Sequence, residues 1–153
     1  MLFRSGAPHW DAESRGLITG LTLDSDAEDL VVATLQAVAF QTHDLLQAAA
    51  GDGVWPAVLR VDGGMVANNW LCQFLADMID GPVERPEVTE TTALGAAMLA
   101  ALGVGDVSGL AALHGWWRPE RRFEPRMPAA TRAALLLGWQ RAVEQALTRV
   151  ATT

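Results

Sequence analysis

The segment from Arg60 to Trp70 joins a short apolar run to two adjacent glycines and the start of an amphipathic helix. Gly63 and Gly64 stand at the junction, where the absence of a Cβ lets the backbone approach a bound nucleotide closely. The helix start behind them offers unpaired N–H groups and the positive end of a dipole, both of which favour phosphate. By itself this spacing favours a plain tight turn between a strand and a helix. A nucleotide-binding turn is the alternative, and the segments on both sides of the glycines support it.

The composition excludes several kinds of chemistry. The net charge of −7 argues against nucleic acid or an anionic membrane as a partner. Every basic residue is an arginine, so the chain has no Walker-type phosphate lysine, Schiff-base lysine or lysine general base. Cys72 is the single cysteine, and no Cys/His set has zinc-site spacing. Because Cys72 lies among apolar residues on a helix, we expect a buried small side chain rather than a reactive thiol.

Length and hydropathy indicate one ordinary domain. The chain has 153 residues, which suffices for a sizeable core. No apolar run reaches the ~18 residues of a membrane span, and the first residues lack the apolar core of a signal peptide. We therefore expect a cytoplasmic protein that does not enter a membrane.

The first half of the chain predicts a strand, a long helix and a second strand. Residues 16–23 alternate apolar and polar positions, which is typical of a strand or hairpin arm. Ser25 and Glu28 have the spacing of a capping box. The helix behind them runs for about six turns and ends at Gly51. Residues 57–61 suit a short buried strand.

The middle of the chain predicts a helix, a strand and a further helix. Residues 83–88 resemble a strand whose proline, Pro86, favours an edge position or a strand end. Thr91 or Thr92 can cap the next helix, and Gly103 ends it. The small residues from Gly95 to Ala97 in that helix allow very close packing on a neighbour. The helix after the two glycines is expected to bury Leu71, Phe74, Leu75 and Met78.

Residues 104–127 are rich in glycine and proline and predict a surface-wrapping segment. Its arginines stand beside Glu120 and Glu124, which favours a solvated, ion-paired face over a nucleic-acid site. Residues 129–150 predict a final helix. The alternation of strands and helices indicates an α/β unit with at least part of its sheet parallel.

Several segments together resemble the carboxy-terminal domain of the FGGY carbohydrate kinases, and within that family the glycerol kinase branch. The segments are Gly6–Asp11, Ser14–Leu21, Asp29–Gln36, Ala39–Leu46, Arg60–Gly64, Asn68-Asn69, Gln73-Phe74, Asp77, Val83–Pro86 and Glu90–Ala97. The resemblance covers nearly the whole chain. It implies an α/β fold of the actin-like, ribonuclease H-like ATPase class, in which two such domains enclose a cleft. The domain would be incomplete at its N-terminal end: residues 1–15 would be a lead-in from a missing N-terminal part, and residues 16–153 the carboxy-terminal, nucleotide-side domain.

The resemblance also implies a site. Gly63, Gly64 and Asn68 match positions that contact ATP in the family, and an asparagine amide can both donate to and accept from a purine edge. Asn68 can also cap its helix, and the two roles can coexist. Asp62 is open to two interpretations, a Mg²⁺ ligand or base and a turn-stabilising contact of its own carboxylate, of which the second is favoured. The phosphate-gripping hairpin, the sugar contacts, the aspartate base and most of the Mg²⁺ site would lie outside this chain.

The activity implied is that of a kinase that transfers the γ-phosphoryl group of ATP to glycerol, giving sn-glycerol 3-phosphate and ADP. Glycerol would bind through the missing N-terminal domain, and a homo-oligomer is expected. The isolated chain, which by this resemblance holds no catalytic residue, should be inactive because phosphoryl transfer depends on positioning and electrostatic stabilisation. Two alternatives remain: another FGGY polyol or pentulose kinase, or a catalytically silent remnant that binds nucleotides or partners.

Overall fold

The computed structural model describes residues 8–53 and 55–147. Two compact units are present. Among these described residues, the helical unit comprises those up to Trp55, Asp77–Ile79 and those from Arg126 onward, and the sheet unit comprises Pro56–Ala76 and Asp80–Pro125. The start of the lead-in segment and residues 148–150 of the expected last helix lie outside the described residues.

The helical unit is built on α1 (Ala27–Gly51) and α4 (Ala129–Ala146). Phe40 of α1 stacks on Trp139 of α4 with ring centroids 5.3 Å apart. The indole Nε1 of Trp139 donates to the Asp44 carboxylate at 2.6 Å, which satisfies a polar group that would be costly to bury alone. Both expected helices are confirmed, and α1 ends at Gly51 as predicted.

The cap of α1 lies one residue later than expected. The Asp26 side chain accepts from the N–H groups of Glu28 at 2.8 Å and Asp29 at 3.1 Å, and the Asp29 carboxylate accepts from the N–H of Asp26. The prediction of Ser25 as the cap is wrong, because its hydroxyl instead accepts from the N–H of Thr22 at 2.9 Å. An aspartate pair therefore forms the capping box that Ser25 and Glu28 were expected to form.

Residues 16–23 do not form the expected strand. Alternating side chains suit a pleated ribbon, but a strand also needs a neighbour to accept and donate its backbone hydrogen bonds. No strand within the described residues pairs with this segment, and Ile18 and Leu21 are exposed. The strand prediction is therefore wrong, because an alternating pattern does not tell whether a neighbouring strand is available.

The sheet unit contains β1 (Leu59–Arg60), β2 (Val83–Pro86) and β3 (Pro119–Phe123), in that order across the sheet. β1 and β2 are parallel, whereas β2 and β3 are antiparallel. β2 is the central strand of the described sheet, and Pro86 lies at its end, the second of the two positions expected for the proline. β3 lies within the segment expected to wrap the surface. A hydrophobicity pattern does not predict this strand, because charged residues occupy most of it. Ion pairs between β3 and β2 accompany the strand pairing.

Helix α2 (Asn69–Ile79) follows β1. The burial predicted from its spacing is confirmed: Leu71, Phe74, Leu75 and Met78 are all buried. Cys72 is also buried, with 1% of its surface exposed. No helix within residues 8–53 and 55–147 has the length and apolar character that a bilayer crossing requires.

Helix α3 (Thr91–Val104) begins after Glu90, so neither Thr91 nor Thr92 is its cap. Its C-cap is Gly105, in the left-handed conformation with φ 81°, two residues beyond the predicted Gly103. None of its residues is charged and none is buried. The close packing expected at Gly95 is absent from the described residues, since a Cβ built there meets no atom within 4 Å. An uncharged helix with no buried face presents apolar surface to solvent.

We expect this chain, purified alone, to self-associate through α3. Leu99 is 69% exposed, and burying such a side chain contributes roughly 1.5–3 kcal/mol. Leu99→Glu should therefore weaken self-association at least ~10-fold, measured by light scattering over a concentration series. Leu137→Glu on α4, where the leucine is 48% exposed, is the matched control. Equal effects of the two substitutions would rule out α3 as the associating surface.

Candidate functional site

The turn that links β1 to α2 has a backbone that only glycine adopts readily. Gly63 has φ 85° and ψ 173°, a region that a side chain would strain. Its N–H donates to the carbonyl oxygen of Thr89 at 2.9 Å. A short 3₁₀ turn, Gly64–Ala67, then leads into Asn68 and helix α2. We call the residues from Gly63 to Asn68 the glycine turn.

Gly64, unlike Gly63, has a backbone conformation that does not require glycine. Its φ lies outside the left-handed region, and a Cβ built on it meets no atom within 4 Å. Nothing in the described chain therefore requires glycine at this position. The space in front of Gly64 is open to a bound molecule, as the sequence suggests.

Asn68 is the N-cap of α2. Its Oδ1 accepts from the N–H of Trp70 at 2.9 Å and of Leu71 at 3.2 Å. The capping interpretation of this residue is thus confirmed. Capping uses the amide oxygen, and the side-chain NH₂ group of this exposed residue remains a donor. A contact between Asn68 and a nucleotide stays a prediction.

Asp62 does not make the local turn contact expected of it. Its carboxylate accepts a hydrogen bond from the hydroxyl of Thr91, the first residue of α3. The contact ties the end of β1 to a helix that follows much later in the chain. Among the described residues, no group of three or more His, Cys, Asp and Glu side chains could hold a metal ion.

Arg85 is a residue of the site that sequence reasoning left without a role. It lies on β2, is 8% exposed, and donates from Nη1 to the carbonyl oxygens of Val66 at 2.7 Å and Ala67 at 3.3 Å. Val66 and Ala67 belong to the glycine turn. Sequence patterns give no signal for a buried arginine, because charged residues are expected at the surface.

The predictions of a buried Cys72 and of an ion-paired face in residues 104–127 are confirmed. Cys72 is a core residue whose Sγ lies 3.3 Å from the carbonyl oxygen of Val66. Burial raises the pKa of its thiol, so it stays protonated at neutral pH and is a poor nucleophile. Arg122 forms ion pairs with Glu124 at 2.6 Å and Glu84 at 3.1 Å, and the hydrogen bond that it donates to Glu124 raises the pKa of its guanidinium.

Comparison with known proteins identifies the family. Residues 2–104 match the model for the carboxy-terminal domain of the FGGY family of carbohydrate kinases. The chain belongs to the FGGY family. This FGGY chain is 57% identical over 140 residues to the glycerol kinase of Rhodospirillum centenum, covering 92% of itself and 28% of that protein. It is 51% identical over 140 residues to glycerol kinase 1 of Pseudomonas aeruginosa, with the same coverage of 92% and 28%.

Solved structures agree with this assignment. The crystal structure of Plasmodium falciparum glycerol kinase with ADP matches with a TM-score of 0.80 and 33% identity, over 94% of this chain and 29% of that one. A ligand-bound xylulose kinase from Lactobacillus acidophilus matches with a TM-score of 0.75 at 21% identity, over 94% of this chain and 29% of that one, which shows the fold alone. The expected α/β fold, the actin-like class and the family are confirmed. The FGGY chain spans about 28% of the length of its curated relatives.

The two glycines of the turn should respond differently to the same substitution. Gly63→Ala places a side chain at φ 85°, so it should lower the free energy of unfolding by about 1–3 kcal/mol. Gly64→Ala meets no neighbour and should change it by less than ~0.5 kcal/mol. Urea denaturation of the two variants at low protein concentration measures both values. Comparable losses would contradict the backbone described for the turn.

Proposed function

We propose that this chain is the carboxy-terminal part of an ATP-dependent glycerol kinase. The whole protein would transfer the γ-phosphoryl group of ATP to glycerol, yielding sn-glycerol 3-phosphate and ADP. This chain would supply the adenosine side of the cleft. We propose residues 16–153 as its domain, with residues 1–15 as the lead-in, in a homo-oligomeric cytoplasmic enzyme.

The observation that carries the proposal is the 51–57% identity to glycerol kinases over 92% of the chain. A match that covers 92% of the chain includes the glycine turn and the strands that hold it. The Plasmodium falciparum relative was solved with ADP, which supports a nucleotide as the ligand of this domain. The xylulose kinase match is weaker in sequence and supports the fold without the substrate.

Three residues of the glycine turn would act on the nucleotide. Gly63 adopts the backbone that brings the chain out of β1, and Gly64 leaves room where any side chain would push the nucleotide away. Asn68 would use its amide NH₂ toward the purine while its oxygen caps α2. Bound Mg²⁺ neutralises phosphate charge in such reactions. As the resemblance to the FGGY kinases implies, we propose that its ligands lie mostly outside this chain.

A chimera tests the nucleotide role. In it, this chain replaces the aligned segment of the Rhodospirillum centenum glycerol kinase, to which it is 57% identical. Gly64→Ala should raise the KM for ATP at least ~10-fold and leave the KM for glycerol unchanged, since it removes space on the nucleotide side alone. Asn68→Ser keeps a capping oxygen and removes the amide, so it should also raise the KM for ATP. Coupled measurement of ADP release gives both constants.

The matched control is Gly138→Ala on α4. A Cβ at Gly138, as at Gly64, meets no atom within 4 Å, but Gly138 lies in the helical unit. The control chimera should retain both KM values. A Gly64→Ala chimera with an unchanged KM for ATP would refute the assignment of the glycine turn.

A second experiment separates the alternatives. The chain alone should release no ADP from Mg-ATP and glycerol above the background rate, because the other half of the cleft is needed for phosphoryl transfer. Turnover by the chain alone would contradict the proposal.

The full-length protein should prefer glycerol to xylulose, and the opposite preference would make it a pentulose kinase. A monodisperse chain that binds ATP without any full-length counterpart would favour the remnant.

A further inference from the structure

Arg85 has an unusual environment for an arginine. Within residues 8–53 and 55–147, Arg85 and Asp77 are the buried charged residues, each 8% exposed. Asp77 accepts from the backbone N–H groups of Arg126 and Met127. Arg85 instead directs its guanidinium at backbone carbonyls and at two side chains. A buried cation with this many partners fixes the position of each of them.

One nitrogen of Arg85 holds the end of the glycine turn. Nη1 donates to the carbonyl oxygen of Val66 at 2.7 Å, to that of Ala67 at 3.3 Å and to Oδ1 of Asn69 at 3.0 Å. These three residues surround Asn68 in the chain. The same guanidinium therefore fixes the backbone before Asn68, the residue expected to contact the purine, and the side chain of the residue after it.

A carboxylate on β3 holds the other side of the guanidinium. Nε and Nη2 of Arg85 both lie 2.7 Å from Oε2 of Glu120. Arg85 thereby connects the glycine turn to two strands, its own β2 and β3. A lysine could supply the charge but not this planar arrangement of donors.

The start of the turn is held independently. The N–H of Gly63 donates to Thr89, and the Asp62 carboxylate accepts from Thr91. Gly64 and Met65 are thus left between two fixed points. Both points are supplied from β2 or from the segment that follows it.

We propose that Arg85 is a positioning residue for nucleotide binding, holding the glycine turn so that Gly64 and Asn68 meet the purine nucleotide. The proposal rests on the proposed function of that turn. Arg85 acts through Val66, Ala67 and Asn69 and touches no reacting atom. Its loss should weaken ATP binding in enzyme that is still folded, which a merely structural residue would not do.

The test uses the same chimera. Arg85→Lys should raise the KM for ATP about 10-fold or more, since hydrogen bonds from a charged group are lost, with the KM for glycerol unchanged. Asn69→Ala removes a single acceptor from an exposed residue and should give a smaller rise in the same constant. Asn69→Asp restores an oxygen acceptor and should return the KM for ATP to near its original value.

Arg122→Gln is the matched control. Arg122 lies on β3 and forms ion pairs with Glu84 and Glu124, away from the glycine turn. This variant should keep the KM for ATP. Melting temperatures recorded alongside the kinetics distinguish weaker binding from lost stability.

The outcomes separate the two proposals. If Gly64→Ala leaves the KM for ATP unchanged, the proposed function of the turn fails. If Gly64→Ala raises that KM but Arg85→Lys and Asn69→Ala lower only the melting temperature, Arg85 is structural and this inference fails. Should Arg85→Lys not fold, the Asn69→Ala and Asn69→Asp pair decides by the same criterion. A raised KM for ATP in Asn69→Ala that Asn69→Asp does not restore would also overturn this inference.

Discussion

Parallel pairing of β1 with β2 decides where the candidate site lies. Leu59 pairs with Val83 and Arg60 with Glu84, and the two strands run in the same direction. Parallel strands end at the same edge of a sheet, so the turn that follows β1 meets the segment that follows β2. The hydrogen bond between Gly63 and Thr89 is a direct result of this pairing. Without it, the two glycines would be an ordinary surface loop.

Much of the fold could be predicted because its signals are local. The 3.6-residue spacing of apolar residues identified α1 and the buried face of α2, and proline correctly marked the end of β2. The failures depend on partners distant in the chain. Residues 16–23 have a strand pattern without a strand beside them, and β3 forms although charged residues occupy most of it. The N-cap of α1 was predicted one residue too early, because the Ser25 hydroxyl accepts from the N–H of Thr22 and the Asp26 carboxylate accepts from that of Glu28.

The candidate site shows the same division. The cap formed by Asn68 could be predicted from sequence because it involves only neighbouring residues, whereas nucleotide contacts of Gly63, Gly64 and Asn68 stay predictions that come from the family resemblance. Arg85 and Asp62 could not be assigned, since their partners lie 16–35 and 29 residues away in the chain. Long-range contacts of this kind depend on the order of the strands in the sheet, and a single sequence gives little information about that order. The substrate is harder still to assign, because the chain spans about 28% of the length of its relatives.

The charged strand β3 also has a consequence for how the sheet can be extended. At one edge of the described sheet, β3 presents Glu120, Arg121 and Arg122 to solvent, and Pro119 at its start lacks an N–H to donate. A strand arriving there would have to desolvate these charges, which is how natural sheets block unwanted edge-to-edge assembly. β1, at the opposite edge, carries two residues and a single charge. Additional strands can therefore pair far more readily beside β1 than beside β3, so the charges of β3 determine at which edge the sheet can be extended.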